Sequence, residues 1–372
     1  MKKLTRYWKF IIGYAMILLI LNILSRISAF CDIYTEHVFP IWTNTYGRVT
    51  GLIPFSVGEV MIVLAIFAVI AAIIIGISLI FLWKQKRKGY KLFAIRYLKG
   101  ILALAMTTGL LYSLNCSMLY GCSKLVLNDK EDSDYTVLEV ETLRTYMVEK
   151  CNALSKQFNR DEDGNIVADF DMKKEVKKAM SELAKEYPRF SGYISTPKPI
   201  QGSYFMYHTN MIGIYFPFSL EANYSNYLND ANFPYTACHE LAHVKGYIYE
   251  NEADYFAFLA CIKSENPLLQ YSGYINVLYH LETDYFCMVD WERYEQQAQV
   301  SDLVRKDAEC YTEQIVEEVE AVESFIDEEA VEAAGDAFTE TYLDYYGAEA
   351  NYSEVTKLVL RYYDGTLYKA GK

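Results

Sequence analysis

Only five histidines occur among the 372 residues, yet two of them stand four apart around a carboxylate in the string His239-Glu240-Leu241-Ala242-His243. The surrounding run reads as a helix, and residues four apart on a helix share one face. Both imidazoles can then grip a single ion while Glu240 reaches a water beside it. Residue chemistry alone thus points to a zinc hydrolase site with His239 and His243 as metal ligands and Glu240 as the catalytic base.

A catalytic zinc takes a third protein ligand and leaves a fourth position open. Seven residues after His243 begins Glu250-Asn251-Glu252-Ala253-Asp254-Tyr255-Phe256-Ala257. Gly246 falls three residues past His243, where a helix can end in a left-handed cap and let the chain turn back. A second helix starting near Glu250 would aim a carboxylate at the ion. Glu250 and Asp254 are an i, i+4 pair, so one can ligate while the other receives the free N–H of a ligating imidazole. Glu252 competes with Glu250 for the ligand role. Glu250 is preferred because only it has a carboxylate one turn further along.

The pair HELAH and ENEADYFA resembles the gluzincin metallopeptidases, whose second helix carries Glu-x-x-x-Asp. Carried over position by position, the resemblance implies His239, His243 and Glu250 as ligands, Glu240 as base and Asp254 as the partner behind a ligand. The metzincin pattern is a near miss: Gly246 fits it, but its third histidine would fall on Tyr249. Over most of its length the chain also resembles an uncharacterised family of bacterial membrane proteins, domain of unknown function 3810, with a zincin-like outer domain. The segments that carry this likeness are Gly213 to Phe218, Glu221 to Asn223, Cys238 to Gly246, Glu250 to Leu259, Thr341 to Leu343 and Tyr352 to Tyr363. Such membership implies an architecture and supplies no substrate.

These residues must be positioned by the rest of the chain, which begins with three apolar runs, about Trp8 to Phe30, Val57 to Trp83 and Leu98 to Gly121. Each is long enough for the roughly 20 residues that a bilayer core requires. Lys2, Lys3, Arg6 and Lys9 precede the first run, and Lys84, Lys86, Arg87, Lys88, Lys91, Arg96 and Lys99 fill the connection before the third. The positive-inside rule places both in the cytoplasm. Three crossings then deliver everything from about residue 122 to the outer face. A cleaved signal peptide is the alternative for the first run, but bulky Phe30 stands where a small residue is needed. The expected division is therefore a membrane anchor over 1–121 and an extracytoplasmic domain over 122–372.

Charge divides the same way. Residues 1–121 carry 13 bases and 3 acids, which leaves 22 of the chain's 35 bases and 45 of its 48 acids for the remainder, a net −23. A domain so acidic is no nucleic-acid binder. Its expected partners are a peptide or protein substrate and, for the anchor, the lipid bilayer.

Helical patterns cover Val137 to Phe158 and Asp171 to Tyr187. Between them Asp161-Glu162-Asp163-Gly164-Asn165 hints at a calcium loop but lacks the glycine and the closing glutamate of an EF-hand, and reads as a turn. Ile200 to Ser225 is aromatic and β-branched between turn formers, which reads as strands of a small sheet. By resemblance to zincins, Met211 to Phe216 is a candidate edge strand for pairing with extended substrate, with Met211, Gly213 and Tyr215 as its candidate contacts. Its alternative is an ordinary sheet strand. Helices are expected at Pro267 to Phe286, Val300 to Ile326, Glu329 to Tyr345 and Tyr352 to Tyr363.

Eight cysteines contain no CxxC pair, and six of them, Cys122, Cys151, Cys238, Cys261, Cys287 and Cys310, fall where disulfides are permitted. Zincin chemistry also needs a donor to steady an oxyanion. Tyr215, Tyr247, Tyr249, His208 and His280 are candidates that spacing does not separate. Asn223 and Asn351 begin N-x-S sequons.

The fold class expected is α+β: three transmembrane helices followed by a mainly helical, zincin-like domain with a small sheet. The function expected is a membrane-anchored zinc metallopeptidase acting outside the cytoplasmic membrane. Its rival is a zinc-stabilised, non-proteolytic sensor or assembly factor that uses the same fold as a binding module.

Overall fold

The structure is a computed structural model that describes residues 5–82, 88–127, 135–322, 331–333, 335–337 and 353–368. The chain divides into two compact units, Met1–Ser123 with Phe216–Leu220, and Lys124–Tyr215 with Glu221–Lys372.

The first unit is mainly helical over its described residues before Ser123. Helix α1 spans Arg6–Leu24, α2 Ser28–Ile33, α3 Phe39–Gly51, α4 Val57–Leu82 and α5 Lys88–Tyr112, which continues through a π-helical turn at Ser113–Ser117 into α6, Met118–Tyr120. Among the described residues, three stretches are long and apolar enough to cross a membrane: Arg6–Leu24, Val57–Phe81 and Gly89–Tyr120. In the second of these, mean hydropathy reaches 3.3 while none of the apolar window is buried by protein. Apolar side chains exposed on every face need an apolar solvent, and a bilayer supplies one. The chain therefore has the helices of a membrane protein.

Two boundaries differ from the sequence reading. The first helix stops at Leu24 instead of running to Phe30, where Ser25 turns its hydroxyl back onto the Asn22 carbonyl at 3.0 Å. The third begins at Lys88 instead of Leu98, so Lys91, Arg96 and Lys99 ride on its first turns. Lysine and arginine stems can lie along a helix while their charged ends reach for polar surroundings, which hides such a start from a hydropathy scan. Within this unit the segment Phe216–Leu220 is held by its backbone: Tyr46 donates to the Phe218 carbonyl, Thr50 to that of Ser219 and Asn115 to that of Pro217, each at 2.8 Å.

The second unit is mainly helical with one small sheet. Helix α7, Val137–Leu154, starts at a Thr136/Glu139 capping box, and α8, Met172–Glu182, is capped by Asp171. Strand β1 is Lys198–Ile200, β2 Gly213–Phe216 and β3 Glu221–Ser225, in sheet order β1-β3-β2 with β1 and β3 parallel. Between β1 and β2 lies α9, Ser203–His208, where the sequence reading had only strands. The Ser203 hydroxyl bonds the Ile200 carbonyl and receives the Asn226 N–H, a local closure that β-propensity does not reveal. Met211 lies before β2 and not in it.

Helices α10, Phe233–Val244, and α11, Glu250–Lys263, form the centre, with α12, Pro267–Met288, packed on α11 and α7. Residues 252–261 of α11 are all buried. Short helices α13, Trp291–Glu295, α14, Asp302–Ala308, and α15, Glu313–Glu320, follow, and α16 covers Ser353–Tyr363. The single helix expected over Val300 to Ile326 is thus two, interrupted where Tyr311 bridges to Leu228. Most of the helix expected at Glu329 to Tyr345 lies outside the described residues, as do the Thr341 to Leu343 match and Asn351. None of the eight cysteines forms a disulfide. Asn223 is a buried residue of β3, so its sequon offers no surface acceptor.

Candidate metal centre

Helix α10 enters through Pro234 in its first turn and ends where Gly246 takes φ +89°. That left-handed residue lets the Gly246 N–H reach the His243 carbonyl and the Tyr247 N–H reach that of Ala242, closing the helix and reversing the chain. Three residues later Tyr249 caps α11, and Glu250 is its first residue.

This reversal brings the two helices' polar groups together. His239 Nε2 lies 3.0 Å and His243 Nε2 3.6 Å from Glu250 Oε2. Each ring is oriented from behind. His239 Nδ1 meets Asp254 Oδ1 at 2.7 Å, and His243 Nδ1 meets the Tyr247 carbonyl at 2.8 Å. Both rings therefore present Nε2 toward Glu250. One donor atom from each of His239, His243 and Glu250 lies within 4.8 Å of the others. A tetrahedral zinc with ordinary ligand lengths spaces its donors by about 3.3 Å, which the 3.0 and 3.6 Å separations bracket. These three residues can hold a metal ion.

Glu252, the competing ligand, points elsewhere: it is buried and accepts the Leu125 N–H at 2.6 Å. Two residues on from Glu250, Glu252 is rotated about 200° around the helix, and the Leu125 bond is what holds it away from the cluster.

The electrostatics match the geometry. Burial opposes the charged form of His239, but Asp254 and Glu250 outweigh it and raise its pKa well above the ordinary histidine value. His243 is raised against the same burial penalty, chiefly by Glu250. Burial also opposes the Glu250 carboxylate, and the two imidazoles overcome it, holding Glu250 far below the usual carboxylate range. The site is a negative field that recruits positive charge, whether protons or a cation. Glu240 differs. Burial pushes it up to about 7, and its Oε2 is buried without a hydrogen-bond partner.

Strand β2 runs past this group on the outer edge of the sheet. Gly213 abuts the Glu240 side chain, and the Tyr215 ring lies 6.3 Å from that of His243. Met211 is not aligned with them: its N–H donates to the Met206 carbonyl, and its carbonyl accepts the Tyr311 hydroxyl. Its backbone is turned to bonds within the chain, after Asn210 adopts a left-handed φ of 52°.

The family described as Protein of unknown function (DUF3810) matches residues 34–360. The chain belongs to the DUF3810 family. No curated protein and no solved structure matches it.

Among the other donors considered in this DUF3810 chain, Tyr247 packs its ring between Phe190 and Phe256 under Arg189, a core position. Tyr249 lies under the Lys124 ammonium, and His208 meets Tyr204 edge to face. Tyr215 borders the site, and His280 on α12 lies within electrostatic range of Asp254 and His239. What sequence reasoning missed is the Tyr247 backbone carbonyl, which orients His243. Nothing in a side-chain pattern marks a carbonyl; the left-handed Gly246 beside it was the available signal.

Proposed function

We propose that this protein is a membrane-anchored zinc metallopeptidase, with His239, His243 and Glu250 as ligands, Glu240 as general base and acid, and Asp254 holding His239. The observation that carries the reading is Glu240: a carboxylate buried beside a three-donor cluster, with one oxygen lacking any partner. A purely structural metal needs no such group, and burying an unpaired carboxylate is costly. That weighs against a non-proteolytic sensor or assembly factor.

Zinc suits two imidazoles and one carboxylate, and when bound it supplies Lewis acidity toward a peptide carbonyl and makes water more acidic. The chain's own groups do the rest. Glu240, near 7, is tuned to take a proton from water and return it to the departing amine nitrogen at neutral pH. Oε2 is the oxygen left for that transfer. The edge strand β2, with Gly213 and Tyr215, pairs an extended peptide by its backbone. Asp254 keeps His239 in the tautomer that presents Nε2. Basic residues before α1 and between α4 and α5 put the N-terminus inside and the site outside the cytoplasmic membrane.

The test uses the full-length protein in detergent with a mixed peptide library, wild type beside Glu240→Gln. Cleavage by the wild type and a loss of roughly 10²- to 10⁴-fold in the variant, with bound metal unchanged, is the expected result. Equal cleavage by both, or none by a fully metallated wild type, would refute the peptidase reading.

A further inference from the structure

We infer that Gly213 is a positioning residue for Glu240: the position admits no side chain because the Glu240 carboxylate occupies the space one would need. This rests on the reading of Glu240 as the base. A Cβ at Gly213 would lie 2.4 Å from Glu240 Oε1 and 2.9 Å from both Cδ and Cγ. All three of these contacts belong to one side chain. The left-handed glycines among the described residues are Gly164, Gly192, Gly246 and Gly365. Gly213 is not one of them, so the backbone there accepts alanine and the requirement is steric.

The strand cannot easily retreat to make room. The Ile212 carbonyl accepts the Ser225 N–H at 2.8 Å, and the Ile214 carbonyl accepts the Asn223 side chain at 3.4 Å, so β2 is tied to β3 on either side of Gly213. The yielding partner is therefore Glu240. Alternation along the strand puts Tyr215 on the same face, where its ring meets His243. β2 thus borders the base and one imidazole together, and it meets the base where it has no side chain. This contact shuts Oε1 against the main chain and fixes the direction of Oε2. The three atoms nearest a methyl group at 213 all belong to Glu240, so it would swing the carboxylate. A displacement of about 1 Å in a catalytic group costs on the order of 10²-fold in rate, so kcat should fall while metal content stays.

The deciding experiment is a double-mutant cycle on the full-length protein in detergent, read first as thermal midpoint of the metal-free chain and then as metal content and turnover. Gly213→Ala should lower the midpoint when Glu240 is present. In the Glu240→Ala background it should cost nothing, because the added methyl enters the space vacated. Zinc should stay stoichiometric in Gly213→Ala while kcat falls about 10²-fold with KM little changed. If Gly213→Ala fails to fold but the double variant folds, the steric claim stands. Equal loss of stability or of folding in both backgrounds would overturn it, as would wild-type turnover in Gly213→Ala. Should the wild type cleave no peptide, the peptidase reading fails by itself, and the stability cycle still decides what Gly213 does.

Discussion

Two regions of the second unit concentrate acidic residues at spacings that suit a cation, and they use hydrogen bonds in opposite ways. In the loop 161–165, Asp161 Oδ1 accepts the N–H groups of Asp163 at 3.0 Å and Asn165 at 2.8 Å, and Oδ2 accepts the Asn165 side chain at 3.1 Å. The Gly164 carbonyl accepts Arg160. The bonds turn the Asp161 carboxylate onto its own loop, which is a turn stabilised by that aspartate. At the α10–α11 corner the bonds fall behind the donors. Asp254 and the Tyr247 carbonyl occupy Nδ1 of each histidine and leave Nε2 of both facing Glu250. Acid count does not make a metal site; convergent lone pairs left over after local bonding do.

The largest effect that this contrast predicts is at the histidines. His239→Ala should abolish stoichiometric metal, whereas Asp161→Asn should leave metal content at the wild-type level, both read by elemental analysis. Metal loss in the loop variant alone would invert the comparison. The next effect separates three carboxylates of α11. Glu250→Gln should weaken zinc binding most, Asp254→Asn by the roughly 10- to 100-fold typical of a partner behind a ligand, and Glu252→Gln least, since its contact is with the Leu125 N–H. A competitive chelator titration in which Glu252→Gln is the damaging change would reassign the third ligand.

A smaller effect is the dependence of affinity on pH. The neighbouring carboxylates raise both imidazoles above the ordinary histidine value despite burial. Protons are then held more tightly than usual and must leave when metal binds. Affinity should accordingly fall as pH drops, beginning above the ordinary histidine pKa of about 6.5. Calorimetry in buffers of different ionisation enthalpy should show proton release, and its absence near neutral pH would contradict the electrostatic picture.

The metal cluster was legible because its determinants are local: a helical spacing of four, a glycine that can end the helix, and an i, i+4 pair on the next helix. Glu252 is the instructive exception. Spacing alone did not dismiss it, since what removes it is a bond to Leu125, 127 residues away. The contact of Gly213 with Glu240 and the helix at Ser203–His208 were hidden for related reasons: one is tertiary, and the other depends on Ser203 bonding both Ile200 and Asn226. In the first unit the apolar runs announced the helices long and apolar enough to cross a membrane. The start of α5 at Lys88 was hidden because its early turns carry Lys91, Arg96 and Lys99, which read as a connection.

A three-ligand metal centre at the α10–α11 corner is tested most directly by zinc stoichiometry of the purified full-length protein, read by elemental analysis for wild type against His243→Ala. One zinc per chain in the wild type and none in the variant is the predicted result. Full zinc in His243→Ala, or none in a folded wild type supplied with the ion, would contradict it.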